Sequence, residues 1–134
     1  MVRLSKKAEY GLIAIRHIAV VTNGQPTTAR EIADTYSIPY DLLAKVLQKL
    51  AKSRLIASHH GLHGGYTLTQ NPRDISVSQI ISVIEGTDPM IAQCMSEGPD
   101  SCGVFNACTI KSPLTKVQAH IDKAFSSMTL AEIV

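Results

Sequence analysis

Apolar positions Ala8, Leu12, Ile15, Ile18 and Ala19 recur at helical spacing between Ser5 and about Val21, and Ser5 is placed to cap the helix they predict. Asn23-Gly24-Gln25-Pro26 ends that helix with strong turn chemistry. A second, short helix is predicted from Ala29 to about Tyr36, capped by Thr27 or Thr28, with Glu31 three residues after Thr28 as in a capping box and Ala29, Ile32, Ala33 and Tyr36 facing inward. After a break at Ser37-Ile38, Pro39 suits the first position of a third helix, and Asp41 falls in its first turn. Leu43, Val46, Leu47 and Leu50 line one face of this helix, while Lys45, Lys49 and Lys52 line the other.

The pattern then changes period. Residues 55–70 form two short strand-like runs around a tip containing Gly61, Gly64 and Gly65, which predicts a β-hairpin. Ser76 caps a further helix through Glu85, with Val77, Ile80, Ile81 and Ile84 inward, and Gly86 to Pro89 stops it. Ser112 and Pro113 read as the cap and first residue of a long last helix. Its positions Leu114, Val117, Ile121, Ala124 and Met128 repeat at alternating steps of three and four, with Phe125 flanking the seam. Such a seam more often packs on a copy of itself than on a monomer core, so a homodimer is expected.

At 134 residues and 45% hydrophobic content the chain is sufficient for one domain with a core. No apolar run reaches the length of a membrane span, and the first residues lack a signal peptide's apolar stretch, so a soluble, cytoplasmic protein with no membrane partner is expected. No nucleophile–base pairing or phosphate-binding loop marks an enzyme. The net charge of +2 conceals an asymmetry: residues 1–73 hold ten Lys and Arg against four Asp and Glu, and residues 74–134 hold three against seven. A basic front half suits a polyanion. Two short helices, the second with exposed lysines, followed by a glycine-tipped hairpin, match a winged helix-turn-helix, although solvated lysines on an amphipathic helix would give a similar count. The surface expected to meet duplex DNA comprises Thr28, Tyr40, Lys45, Lys49 and Lys52, with His59, His60, His63, Gly64 and Gly65 of the wing.

Every cysteine falls between Cys94 and Cys108, with Cys102 between them, in a segment that also holds Gly98, Pro99 and Gly103. Three thiols in fifteen residues suit a soft metal centre, zinc or iron–sulfur, with a fourth position left for another donor; buried or free cysteines are the plainer alternative.

Over nearly its whole length the chain resembles the Rrf-two family of winged-helix regulators. The resemblance rests on Arg3-Leu-Ser-Lys followed by Glu9-Tyr-Gly, on Arg30-Glu-Ile-Ala, on Gly61 to Tyr66, and on Ile75-Ser-Val with Val83-Ile-Glu. Three cysteines before a long helix and Thr129-Leu-Ala-Glu-Ile-Val complete it. It implies a mainly α fold with a small β wing: residues 1–73 as the DNA-binding region, and 74–134 as a cluster loop and dimerisation helix within one compact domain. It further implies a homodimeric repressor whose affinity for an operator is gated by an iron–sulfur cluster on Cys94, Cys102 and Cys108. By analogy with NsrR-like members, Glu9 of the other subunit would be the fourth ligand of a 4Fe-4S cluster, with 2Fe-2S the alternative.

Two departures are visible. The cysteine gaps are seven and five residues, against five and five in NsrR-like and IscR-like members, and His60 stands where the wing commonly begins with Arg. Lys111 occupies the place of the IscR-like histidine, and an ammonium has no lone pair to offer. His120, twelve residues past Cys108, would lie roughly 15 Å away along a helix. Two other functions fit the residues: a zinc- or thiol-based redox sensor, and a partner protein that binds no DNA and docks onto an enzyme.

Overall fold

The structure, a computed structural model, describes residues 3–21, 24–87 and 90–134, without the side chains of Gln93 and Ser96. The expected turn at Asn23 and the stop at Pro89 therefore fall partly outside the described residues. Helices α1 (Lys6–Val20), α2 (Ala29–Tyr36) and α3 (Tyr40–Lys52) precede a hairpin of β1 (Ile56–His59) and β2 (Gly65–Leu68). Helices α4 (Val77–Glu85), α5 (Gln93–Glu97), α6 (Lys111–Ser127) and α7 (Leu130–Ile133) follow, with short 3₁₀ turns between them. This is the mainly α winged helix-turn-helix that the pattern of positions predicts.

Local chemistry explains most boundaries. Ser5 Oγ accepts from Ala8 N at the start of α1. Thr28 with Glu31, and Ser76 with Gln79, form reciprocal capping boxes that satisfy otherwise unpaired N–H groups of α2 and α4. Gly86, at φ 80, ends α4 in the left-handed conformation that glycine adopts without steric cost. Two starts differ from expectation. Pro39 is the N-cap of α3 rather than its first residue, because its ψ of 123 is extended. Helix α6 begins at Lys111, two residues before Pro113, which is tolerated there because the first four N–H groups of a helix have no intrahelical partner. Helix α7 was not expected as a separate element.

The core gathers Ala14, Ile15 and Ile18 of α1, Ile32 and Ala33 of α2, Leu43, Val46, Leu47 and Leu50 of α3, and Ile80 and Ile84 of α4, with Ile56, Ile75 and Leu130. Helix α4 packs against α1 and α3 on one side and α6 on the other, so it joins the helix-turn-helix to the C-terminal part. Tyr36 departs from its expected inward position and is 39% exposed. Its hydroxyl pairs with His17 Nδ1 at 2.8 Å, a bond available at the rim of the core.

In the wing, Ile56 pairs with Leu68 and His59 with Gly65 in antiparallel register. Thr27 and Tyr66 exchange backbone hydrogen bonds at 3.1 and 2.7 Å, so the residue before the α2 cap acts as a third, one-residue strand. At the other end of the fold, Val77 N donates to Met128 O and Leu130 N to Ile75 O, clipping the C-terminal segment onto the start of α4.

Candidate functional site

The ten residues expected to meet DNA lie at the N-cap of α2, on α3 and in the wing. Tyr40, Lys45, Lys49 and Lys52 are exposed on α3, and His59, His60 and His63 are exposed on the hairpin. Thr28 is half-buried, since its hydroxyl caps α2. Thr28, His63 and Gly64 come together with Gln25, Pro26, Glu31 and Leu62 around a cleft of about 430 Å³ between the wing tip and the start of α2. His59 Nε2 is engaged with Thr67 Oγ1 across the hairpin at 2.8 Å. Burial, and then Tyr40 nearby, raise the pKa of Tyr66 above its ordinary value.

Two assignments acquire a different physical basis. The wing glycines answer to the hairpin itself: a Cβ on Gly65, at φ +143, would lie 2.6 Å from Thr27 O, and one on Gly64 would lie 2.5 Å from His59 O. Lys49 is only partly on the exposed stripe, because its Nζ donates to Ile84 O at 3.1 Å. Arg30, absent from the residues expected to meet DNA, packs on one of them. Its guanidinium lies 4.0 Å from the centre of the Tyr40 ring, a cation–π contact between α2 and α3. The family motif at Arg30 was the available signal, but no spacing rule announces a contact across the helix-turn-helix.

The cysteines sit on a chain of tight turns rather than a plain loop. Cys94 lies on α5, Cys102 follows the turn Pro99–Ser101, and Cys108 follows the turn Phe105–Ala107. Each is half-buried and none is in a disulfide. Phe105 N donates to Cys102 O at 3.2 Å and Cys108 N to Phe105 O at 3.4 Å, which joins successive turns. Cys94 lines a groove of about 540 Å³ with Met95, Phe105, Lys111, Ser112, Thr115 and Lys116. Lys111 Nζ donates to Phe105 O at 2.7 Å and lies over the Phe105 ring, so it braces the turn that leads to Cys108.

Three half-buried free thiols on a short helix and two tight turns fit a soft metal centre in kind. Their placement in a single chain is more open: among the described residues no three Cys, His, Asp or Glu side chains gather at metal-holding range. Glu9 lies on α1, paired with Lys6 at 2.9 Å, and this hydrogen bond with Glu9 raises the Lys6 pKa. His120 is exposed on α6.

Comparison with known proteins bears on both faces. The family model described as "Rrf2: Iron-dependent Transcriptional regulator" matches residues 4–134. The HTH-type transcriptional repressor NsrR of Streptomyces coelicolor is 29% identical, over 98% of this chain and 88% of its own. The HTH-type transcriptional regulator NsrR of Oceanobacillus iheyensis is 25% identical over the same shares. Among solved structures, CymR, the global cysteine regulator of B. subtilis, superposes with a TM-score of 0.79 at 25% identity, covering 99% of this chain and 96% of that one. IscR of T. potens gives 0.74 at 29%, covering 98% and 85%.

Proposed function

Since this chain belongs to the Rrf2 family of transcriptional regulators, and is by that membership a DNA-binding regulator and not an enzyme, we propose that it is a homodimeric repressor gated by its cysteines. In this reading Cys94, Cys102 and Cys108 hold an iron–sulfur cluster, and Glu9 of the partner subunit supplies a weak fourth donor. The observation that carries it is the set of three free, half-buried thiols on one segment, between α4 and α6. A cluster bound there supplies a centre that nitric oxide, oxygen or iron shortage can alter. The protein's own part is mechanical and electrostatic. The turn that leads to Cys108 is braced by Lys111, and α4, which packs against α1 and α3, precedes the cysteine segment. Lys45 and Lys52 neutralise phosphates, while Thr28, Tyr40 and the wing histidines set the register on the duplex.

A thiol-based sensor is the second reading, favoured by the likeness to CymR, the global cysteine regulator of B. subtilis. One experiment separates the two: anaerobic purification, with iron and acid-labile sulfide measured alongside visible absorbance, before and after nitric oxide. The proposal expects iron, sulfide and a visible chromophore, all lost in each of Cys94→Ser, Cys102→Ser and Cys108→Ser. Glu9→Ala should retain a cluster with shifted absorbance and lifetime. Protein without iron or sulfide, whose DNA binding responds reversibly to oxidant, would instead establish the thiol reading; zinc without sulfide would establish a zinc site. The iron-to-chain ratio distinguishes 4Fe-4S from 2Fe-2S.

A further inference from the structure

Lys49 belongs to the lysine stripe of α3, yet its ammonium is turned toward the last turn of α4, where it donates to Ile84 O at 3.1 Å. That carbonyl is among the last four of α4, which have no intrahelical partner, and a cation there also meets the negative end of the helix dipole. The same spot is where three helices meet. Ile84 is fully buried, and a Cβ on Gly11 of α1 would lie 2.0 Å from its Cδ1 and 3.1 Å from Cγ1 of Val46 on α3. One residue on, the Glu85 carboxylate accepts a hydrogen bond from Ser5 Oγ at the cap of α1. Gly86 then ends α4, and the chain reaches Cys94 eight residues later.

We propose that Lys49 is a positioning residue that ties the recognition helix α3 to the end of α4, so that the state of the cysteine segment is felt by α3 through this bond. The inference deepens the cysteine-gated reading and rests on it. Its physical content is geometric. The core around Ile84 is packed on all sides, so a shift of the last α4 turn cannot be absorbed locally and is passed to the groups bonded to it. Lys45 and Lys52, exposed on the same helix, are left to the phosphates.

The test uses full-length protein and a fluorescein-labelled duplex selected from a random-sequence library by the wild type. Lys49→Met keeps the methylene stem and removes the donor; Lys49→Gln is the second variant, and Lys49→Arg the conservative one. Lys49→Met should weaken binding on the order of fivefold while leaving the slope of log affinity against log salt unchanged. Lys45→Ala should lower that slope by about 0.9 per protomer. Alkylation with iodoacetamide, in which a cysteine thiolate forms an S–C bond and iodide leaves, supplies a defined change in the cysteine segment. The ratio of native to alkylated affinity should fall toward one in Lys49→Met and Lys49→Gln, and return in Lys49→Arg. A salt slope that falls in Lys49→Met as it does in Lys45→Ala makes Lys49 a phosphate contact and overturns the proposal. An unchanged alkylation ratio in both Lys49→Met and Lys49→Gln overturns the transmission. If alkylation leaves wild-type affinity unaltered, the cysteine-gated reading fails, and the transmission with it, while the slope still decides what Lys49 touches.

Discussion

Tyr66 stands where the wing meets the helix-turn-helix, and its ionisation registers that position. Burial withholds water from the phenolate, and Tyr40 adds a like charge when it too ionises, so the pKa lies above the ordinary value of about 10. In the unfolded chain the phenol ionises first. The stability it contributes is therefore complete below about pH 10 and is lost as pH rises through the higher folded value. Urea midpoints measured from about pH 8 to pH 11 should fall at the alkaline end, and Tyr66→Phe should fall less steeply across the same interval. Identical alkaline slopes for the two proteins would show that burial of this phenol is not felt. Tyr36, by contrast, answers to a hydrogen bond: its ring sits edge-on to His17 with centroids 5.4 Å apart, and its hydroxyl pairs with His17 Nδ1.

At the scale of elements, the wing is the part whose stability most needs explaining. Two four-residue strands make a marginal sheet by themselves. Backbone bonds between Thr27 and Tyr66 extend it, and buried Leu55 and Ile56 anchor its base in the core. This bridge forms only because Gly65 lets the Thr27 backbone approach. Gly65→Ala places a Cβ against backbone atoms that cannot swing aside, at a positive φ that alanine resists. A loss of about 2 kcal/mol or more is expected on chemical denaturation. Amide exchange at Thr27 and Tyr66 should accelerate more than in α4. A variant with wild-type stability and unchanged exchange at these two amides would remove Gly65 as the hinge of wing docking.

For the whole molecule, the question is what covers α6. Along its 17 residues only Gln118 is buried, with its side-chain oxygen accepting from Ile91 N and its amide donating to Asp122. Leu114, Ile121 and Phe125 are half-buried, while Val117 is 46% and Met128 44% exposed. An apolar stripe left this open on one side by α4 is the surface expected to pair with a second copy. Ile121→Asp would place a charge in that seam at a cost that isolated burial makes prohibitive. Sedimentation should show the variant shifted to monomer at micromolar concentration, with its cluster absorbance and lifetime shifted as in Glu9→Ala if the partner's Glu9 completes the site. A variant still dimeric under those conditions would place the interface elsewhere.

Where the chemistry is local, residue order alone determined the outcome. Ser5, Thr28 with Glu31, and Ser76 with Gln79 mark helix starts because a cap is satisfied within three residues. The period of three and four selects Leu43, Val46, Leu47 and Leu50 for the core, and the change to strand-like runs marks the hairpin. The three cysteines announce their segment because no other thiol competes in the chain. What depended on groups far apart in sequence was decided only by the tertiary structure. Lys49 reads as one lysine of a stripe until Ile84, 35 residues on, offers it a carbonyl. Gly65 reads as room for DNA until Thr27 occupies that room, and Arg30 finds Tyr40 only when two helices fold onto each other. The start of α6 at Lys111 and the clip of Thr129 onto Ser76 likewise have no local signature. Periodicity specifies which face of an element turns inward, but a bond between elements exists only once the packing of the core has set their separation.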